Sequence, residues 1–215
     1  MNENQLAILA EAKKIVEEVL QNQVKSLFVF HNLDHTQQVV TAAQEIEACY
    51  QLNDNDRFVL YLSAWFHDTG FITGQAEEHE KESIKLAADF LHCRNADQEI
   101  IQRVSSCIGA TRLPQAALNL VEKIICDADF FHLGTNNFYK RNNLLRQEIQ
   151  SFNKSNFSDE EWYMLNIGFL KSHQYFTGYC QLKLEPVKQK WIKELQKKID
   201  MGMETASIKD NRKSA

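Results

Sequence analysis

Apolar residues recur at helical spacing along most of the chain. Leu6, Leu9, Val16, Val19 and Leu20 form one stripe, and the stretch from His35 to Tyr50 carries a second through Val39, Ala42, Ala43 and Ile46. The loop QLNDND separates that helix from a third over Arg57 to Phe66. DTGFITG, with two glycines, then breaks the pattern before a polar helix resumes near Glu77 and turns apolar through Ile84, Ala87, Ala88 and Leu91. Further helices are expected over Asp97 to Gly109, Ala116 to Cys126, Asn136 to Phe152, Asp159 to His173 and Leu182 to Ile199. SDEE at Ser158 to Glu161 fits a capping box, in which serine and glutamate satisfy free amides at a helix start. No alternation of strands with helices is visible, so the pattern predicts an all-α fold.

Composition sharpens this picture. The chain has 215 residues, 44% of them hydrophobic, and only seven Gly and two Pro interrupt it. That is enough material for one helical domain with a substantial core, expected over residues 1–203. Residues 204–215 are polar and without periodicity, and read as a disordered tail.

A net charge of −5 argues against broad attraction to nucleic acid or an anionic membrane. Five widely spaced cysteines with no CxxC pair read as reduced thiols. The N-terminus begins polar and acidic, unlike a secretory signal, and no run is apolar enough to span a bilayer. Together these features lead to the expectation of a cytoplasmic protein.

Four polar clusters carry the candidate chemistry: His31 with His35, the adjacent pair His67-Asp68, His79-Glu80, and DAD at Asp127 to Asp129. Each alone has an ordinary explanation as a surface pair, a solvated helix face or a helix end. His67-Asp68 and DAD, however, sit at the edges of apolar helices, SAWFHDTG and LVEKIICDAD, where a carboxylate needs a partner. A divalent metal is one such partner, and mixed imidazole and carboxylate ligands suit Mn, Fe, Ni or Zn better than Ca.

In this order the residues resemble the HD superfamily of metal-dependent phosphohydrolases: a His, an adjacent His-Asp, then a distant Asp, all on helices. FHNLDHT is similar to the YHNxxH segment shared with cyclic-nucleotide phosphodiesterases, with Phe30 replacing tyrosine. The resemblance continues through AWFHDTGF, HEKES, IGATRLP, DADFFHLGTNNF, LLRQE and HQYFTGY, so that it covers residues 28–190. This longer pattern is similar to the HD domains of bacterial cyclic-nucleotide-linked (Pycsar-type) effector proteins.

The resemblance implies a helical HD-domain bundle with a metal site between helices. Its ligands would be His35, His67, Asp68 and Asp129, holding one or two divalent ions (Mn, Fe, Ni, Zn or Mg). Asp127 would support the ligands without binding metal. His79 would either bind a second ion or hold a phosphate. His31, one turn before His35, would face the substrate and donate a proton to the leaving oxygen, and Asp68 would also orient the attacking water.

Weaker expectations concern the surroundings. Thr111 and Arg112 are candidates for phosphate binding, weighed against an ordinary arginine at a helix end. Arg146 with Glu148 is either a support for the DAD helix or an exposed pair. His132 and His173 read as structural, and the aromatic residues from Tyr163 to Tyr179 read first as packing and second as a base-stacking wall.

The function expected is hydrolysis of a nucleotide or small phosphate ester, with cyclic nucleotides among the candidates. The alternative is a metal-containing nucleotide-sensing module with little turnover. Nucleic acid is disfavoured as a partner by the acidic charge, no membrane partner is expected, and a homo-oligomer is compatible with the sequence.

Overall fold

The computed structural model describes residues 1–74, 76–154 and 156–213, with side chains described as far as residue 202. It is 74% helical with ten α-helices and no strand among the described residues. The helices are α1 (Glu3–Asn22), α2 (Leu33–Glu47), α3 (Asp54–Phe66), α4 (His79–His92), α5 (Gln98–Ala110), α6 (Leu120–Asp129), α7 (Phe138–Asn153), α8 (Asp159–Ser172), α9 (Gly178–Lys183) and α10 (Glu185–Lys213). Short 3-10 segments lie at Thr69–Thr73 and Phe131–Gly134.

Asparagine sets several helix starts. Asn32, Asn53 and Asn119 each accept a backbone N–H three residues on, at 3.2, 2.9 and 3.1 Å, satisfying a donor the first turn leaves unpaired. These caps place α2 and α3 two and three residues earlier than the apolar stripes suggested. They also correct α6, which begins at Leu120 rather than Ala116. Glu122 reinforces that start by accepting the Leu118 N–H at 2.7 Å. The capping box at Ser158 is present with both of its bonds.

The helix expected over Leu182 to Ile199 is two helices. α9, capped by Thr177, ends at Lys183, and α10 restarts with Pro186 in its first turn, where a missing N–H costs nothing. The α10 backbone is helical to Lys213, across most of the stretch expected as a tail. Residues 214–215 lie outside the described residues.

α3 is buried on nearly every side through Phe58, Val59, Leu60, Leu62, Ala64, Trp65 and Phe66, as its almost unbroken apolar run requires. It packs against α1, α2, α4, α5 and α6 and forms the axis of the larger core. A smaller core joins Leu133 and Phe138 to Ile167 and Leu170 of α8 and Trp191, Ile192, Leu195 and Ile199 of α10. The C-terminal ends of α3 and α6 meet the start of α2 between these cores, so His67, Asp68 and Asp129 emerge together.

His173 and Lys188 form a buried pair beside the smaller core. The Lys188 ammonium donates to the His173 carbonyl at 2.6 Å and lies 3.2 Å from Nδ1 of its ring. Burial and then the Lys188 charge pull the His173 pKa down to about 4. The unfolded ring titrates near 6.5, so the unfolded state takes up the proton first and stability is lost as pH falls from about 6.5 toward 4. Between pH 7 and pH 5 this site should remove roughly 2 kcal/mol of stability. Urea unfolding at the two pH values should show that loss in the wild type and a smaller one in His173→Gln. An equal loss in both would contradict this assignment.

Candidate metal centre

The segment FHN explains how its two histidines come to do different things. Asn32 caps α2 through the His35 N–H and ties itself to the preceding turn by donating to the Val29 carbonyl at 2.8 Å. His35 therefore sits in the first turn of α2, buried and aimed inward, whereas His31 precedes the helix and remains partly exposed. His67 follows directly on α3, Asp68 begins the turn into the 3-10 segment, and Asp129 ends α6.

His35 Nε2 lies 3.1 Å from Asp129 Oδ1 and 3.3 Å from Asp68 Oδ2. His67 Nε2 lies 3.3 Å from Asp68 Oδ2 and 3.8 Å from Asp129 Oδ1. His79 Nε2, at the start of α4, is 3.4 Å from Asp68 Oδ1. One ligand atom from each of His35, His67 and Asp129 lies within 4.8 Å of the others.

Gly70 makes the approach of His79 geometrically feasible. A Cβ at that position would lie 1.9 Å from the His79 carbonyl oxygen, so only glycine lets the 3-10 segment and the start of α4 come this close.

The fit to a metal rests on the donors themselves. Nδ1 of His67 donates to the Ala64 carbonyl at 2.9 Å, which leaves Nε2 with a lone pair facing the cluster. Nδ1 of His79 is held the same way by the Ala76 carbonyl at 2.9 Å. His67 Nε2 and Asp68 Oδ2 are buried 3.3 Å apart, yet neither makes a properly aligned hydrogen bond to the other or to any other group, an expensive arrangement unless a cation completes it. A set of imidazole nitrogens and carboxylate oxygens therefore fits a divalent ion of the first transition row or Mg.

The electrostatics show the same strain. Burial alone would lower the His67 pKa, but Asp68 and Asp129 outweigh it and raise it to about 9. Burial would raise Asp68, yet His67 and His79 hold it well below the usual carboxylate range. Asp129 is likewise lowered, against its burial, by His35 and His67. His35 is lowered, because burial outweighs its carboxylate neighbours. The acids are thus held as anions and His35 as a neutral donor.

Asp127 is turned away from this cluster. Its carboxylate accepts the N–H groups of Phe176 and Thr177 at 2.8 Å each and the Thr177 hydroxyl at 2.6 Å, anchoring the turn before α9. Burial still leaves its pKa raised despite those bonds.

His31 is held by α7. Its Nδ1 bonds to buried Glu148, whose other oxygen accepts the N–H groups of Phe30 at 2.8 Å and His31 at 3.1 Å. Arg141, also buried, donates to the Phe30 carbonyl at 2.9 Å and sits 4.1 Å from its ring centroid. The His31 ring stacks on Phe71 at 4.4 Å, and Phe71 stacks on His79 at 4.1 Å. The expected pairing of Arg146 with Glu148 is not formed. Arg146 binds Asp159 at 2.6 Å, and Glu148 lies one helical face away, turned to His31.

The cluster opens into a cleft of about 470 Å³ lined by His31, Asp68, His79, Arg112, Asp129 and His132. Arg112 is exposed on its rim, opposite Glu77 and Glu78. Thr111 lines it too, but its hydroxyl already donates to the Ile108 carbonyl at 2.8 Å. His132, read from sequence as structural, stands in the cleft wall, and burial, followed by the neighbouring His35 ring and the Arg141 charge, lowers its pKa to about 3. The hold of Glu148 on His31, the place of Arg141 and the cleft position of His132 are the features that the sequence pattern did not disclose.

Residues 32–134 match the HD domain family. That segment begins at the Asn32 cap and contains His35, His67, Asp68, His79 and Asp129. No curated protein matches the chain. Among solved structures, the Lin1889 protein from Listeria innocua is similar in fold, with 18% identity, 93% of this chain and 98% of that one covered, and a TM-score of 0.61. A predicted HD superfamily hydrolase from an uncultured Thermotogales bacterium is similar with 21% identity, 80% and 96% coverage, and a TM-score of 0.52. The chain is therefore an all-α protein in which residues 32–134 match the HD domain family, and no helix among the described residues is long and apolar enough to cross a membrane.

The contrast between the two aspartates is measurable without any ligand. Asp127→Ala strips three donors of their acceptor and should cost about 3 kcal/mol in chemical denaturation. Asp129→Ala leaves the turn before α9 anchored, and its lost contacts with His35 and His67 are offset in part by relief of repulsion with Asp68, so it should cost clearly less. Equal losses would contradict the structural role given to Asp127.

Proposed function

We propose that this protein is a metal-dependent phosphohydrolase of the HD superfamily, acting on a nucleotide or another small phosphate ester, cyclic nucleotides included. The observation that carries this reading is the pair of buried, unpartnered donors, His67 Nε2 and Asp68 Oδ2, within a cluster of imidazoles and carboxylates at the floor of an open cleft. His35, His67, Asp68 and Asp129 would hold the ion, with His79 completing a second position or contacting phosphate. A divalent ion held there supplies a Lewis acid and lowers the pKa of bound water to near neutrality.

The remaining work falls to the protein's own side chains. Asp68, fixed between His67 and His79, is placed to orient the attacking water. Glu148 takes the Nδ1 proton of His31 as a hydrogen bond and so fixes which ring nitrogen is left for the substrate. His31 lines the cleft, and its Nε2 proton would pass to the leaving oxygen. Arg112 offers the rim guanidinium for phosphate, while Thr111, bonded to Ile108, is the weaker of that pair.

The similarity of the sequence to HD domains of Pycsar-type effectors supports nucleotides as the first substrates to try. Cys107, Cys126 and Cys180 are buried free thiols, which suits a reducing cytoplasm.

The test is turnover of a panel of cyclic and linear nucleotides and simple phosphate esters with Mn added. Wild type should release phosphate or ring-opened nucleotide. His31→Ala should lose about 10²- to 10⁴-fold in kcat, most for poor leaving groups, with helical content by circular dichroism unchanged. Unchanged turnover in His31→Ala removes it from the reaction. Nucleotide binding without any turnover in the wild type replaces hydrolysis by sensing.

A further inference from the structure

A second cavity, of about 420 Å³, opens from the reaction cleft and shares Phe30, His31, Leu113, Phe130 and His132 with it. Apart from Leu133, its remaining walls come from α7, α8 and the turn between them, including Leu145, Ile149, Phe157, Trp162 and Phe169. All of these lie beyond residue 134, where the HD match ends. The annex is therefore something the C-terminal helices of this chain add to the HD core.

Its chemistry differs from that of the cleft. No Lys, Arg, Asp or Glu lines it, so a charged group entering it would lose hydration without a carboxylate, ammonium or guanidinium to pair with. Five aromatic rings do line it: Phe30, Phe130, Phe157, Trp162 and Phe169. Such walls favour a flat ring that can stack or meet their edges.

Apart from His31 and His132 at the junction with the cleft, the polar side chains in the wall are two buried asparagines, held in fixed orientation. Trp162 Nε1 donates to Asn142 Oδ1 at 2.6 Å, Asn142 Nδ2 donates to Asn166 Oδ1, and Asn166 Nδ2 donates to the Trp162 carbonyl at 2.7 Å. These bonds use one hydrogen of each Nδ2 and one lone pair of each Oδ1, so each amide has a second donor and a second acceptor site to offer. A plain hydrocarbon would leave those sites unmatched, whereas a ring bearing both N–H and N or C=O groups would match them. The mouth is reachable from solvent, since Leu113 and Leu165 on its rim are 58% and 53% exposed. The volume lies within the range of small-molecule sites, about 300–1,000 Å³.

We propose that the annex is the binding site for a neutral, planar heteroaromatic group of the substrate, of nucleobase type, read at its edge by Asn142 and Asn166. The phosphate would then lie in the adjoining cleft, and this part of the assignment rests on the phosphohydrolase reading. Recognition of the ring by the annex does not. The C-terminal helices, rather than the HD core, would set which phosphate esters are accepted.

Leu165→Trp narrows the mouth from a half-exposed position on α8, where added bulk does not strain the core, and Leu113→Trp narrows it from the opposite lip. Calorimetric titration with adenosine, guanosine and uridine, none carrying phosphate, should show binding of at least one to the wild type. At least one tryptophan variant that retains wild-type helical content should weaken that binding about tenfold or more. In Leu165→Trp, which lies outside the reaction cleft, turnover of the matching nucleoside monophosphate should lose a similar factor in kcat/KM through KM, while glycerol phosphate turnover stays unchanged.

Absence of nucleoside binding, or equal binding by wild type and both variants, overturns the proposal. Leu165- or Leu113-dependent nucleoside binding in a protein that hydrolyses no phosphate ester upholds the annex and removes the hydrolase reading instead.

Discussion

Two carboxylates, buried Asp68 and partly buried Asp129, face the imidazoles of His35 and His67 at separations of 3.1–3.8 Å, and the rest of the molecule is arranged around that confrontation. Charges taken out of water need compensation, and the proton-bearing nitrogens of the cluster are already partly used elsewhere. His67 gives its Nδ1–H to Ala64, which fixes the ring but removes a donor from the cluster. The imbalance left behind, with His67 Nε2 and Asp68 Oδ2 lacking partners, is the physical reason to place a cation there.

Holding such a cluster demands rigid supports on several sides. α3, enclosed by five neighbouring helices, delivers His67-Asp68 from the larger core. Asn32 caps α2 so that His35 enters the cluster, and Gly70 lets α4 bring His79 against it. α7 then fastens the other side: Glu148 grips two N–H groups and the ring of the Phe30-His31 turn, and Arg141 grips its carbonyl. The segment 32–134 supplies the ligand candidates, while helices beyond it hold His31 in place and wall the adjoining cavity.

Much of this was legible from sequence, and the misses have physical causes. The stripes of α1 and α2 and the unbroken apolar run of α3 mark helices directly, because 3.6-residue periodicity is local. Helix starts were misplaced where the apolar stripe begins after the cap, as at Asn32, Asn53 and Asn119, whose side chains were the available signal. For the site, the order of His35, His67-Asp68 and Asp129 and its resemblance to a known family brought together residues that the fold does bring together. The Glu148 contact with His31 spans 117 residues, and no spacing rule reaches that far. Arg146, two positions away, looked the better partner for Glu148 only because the facing of α7 was unknown. The Asn142, Trp162 and Asn166 chain escaped for the same reason.

The most direct test of the account is the metal content of the purified protein after incubation with Mn or Zn and removal of free ion, read by inductively coupled plasma mass spectrometry. One or two equivalents retained by the wild type, and lost together when both His67 and Asp68 are replaced by alanine, is the result predicted. A correctly folded wild type that retains no metal would contradict the claim that this buried cluster is a metal centre.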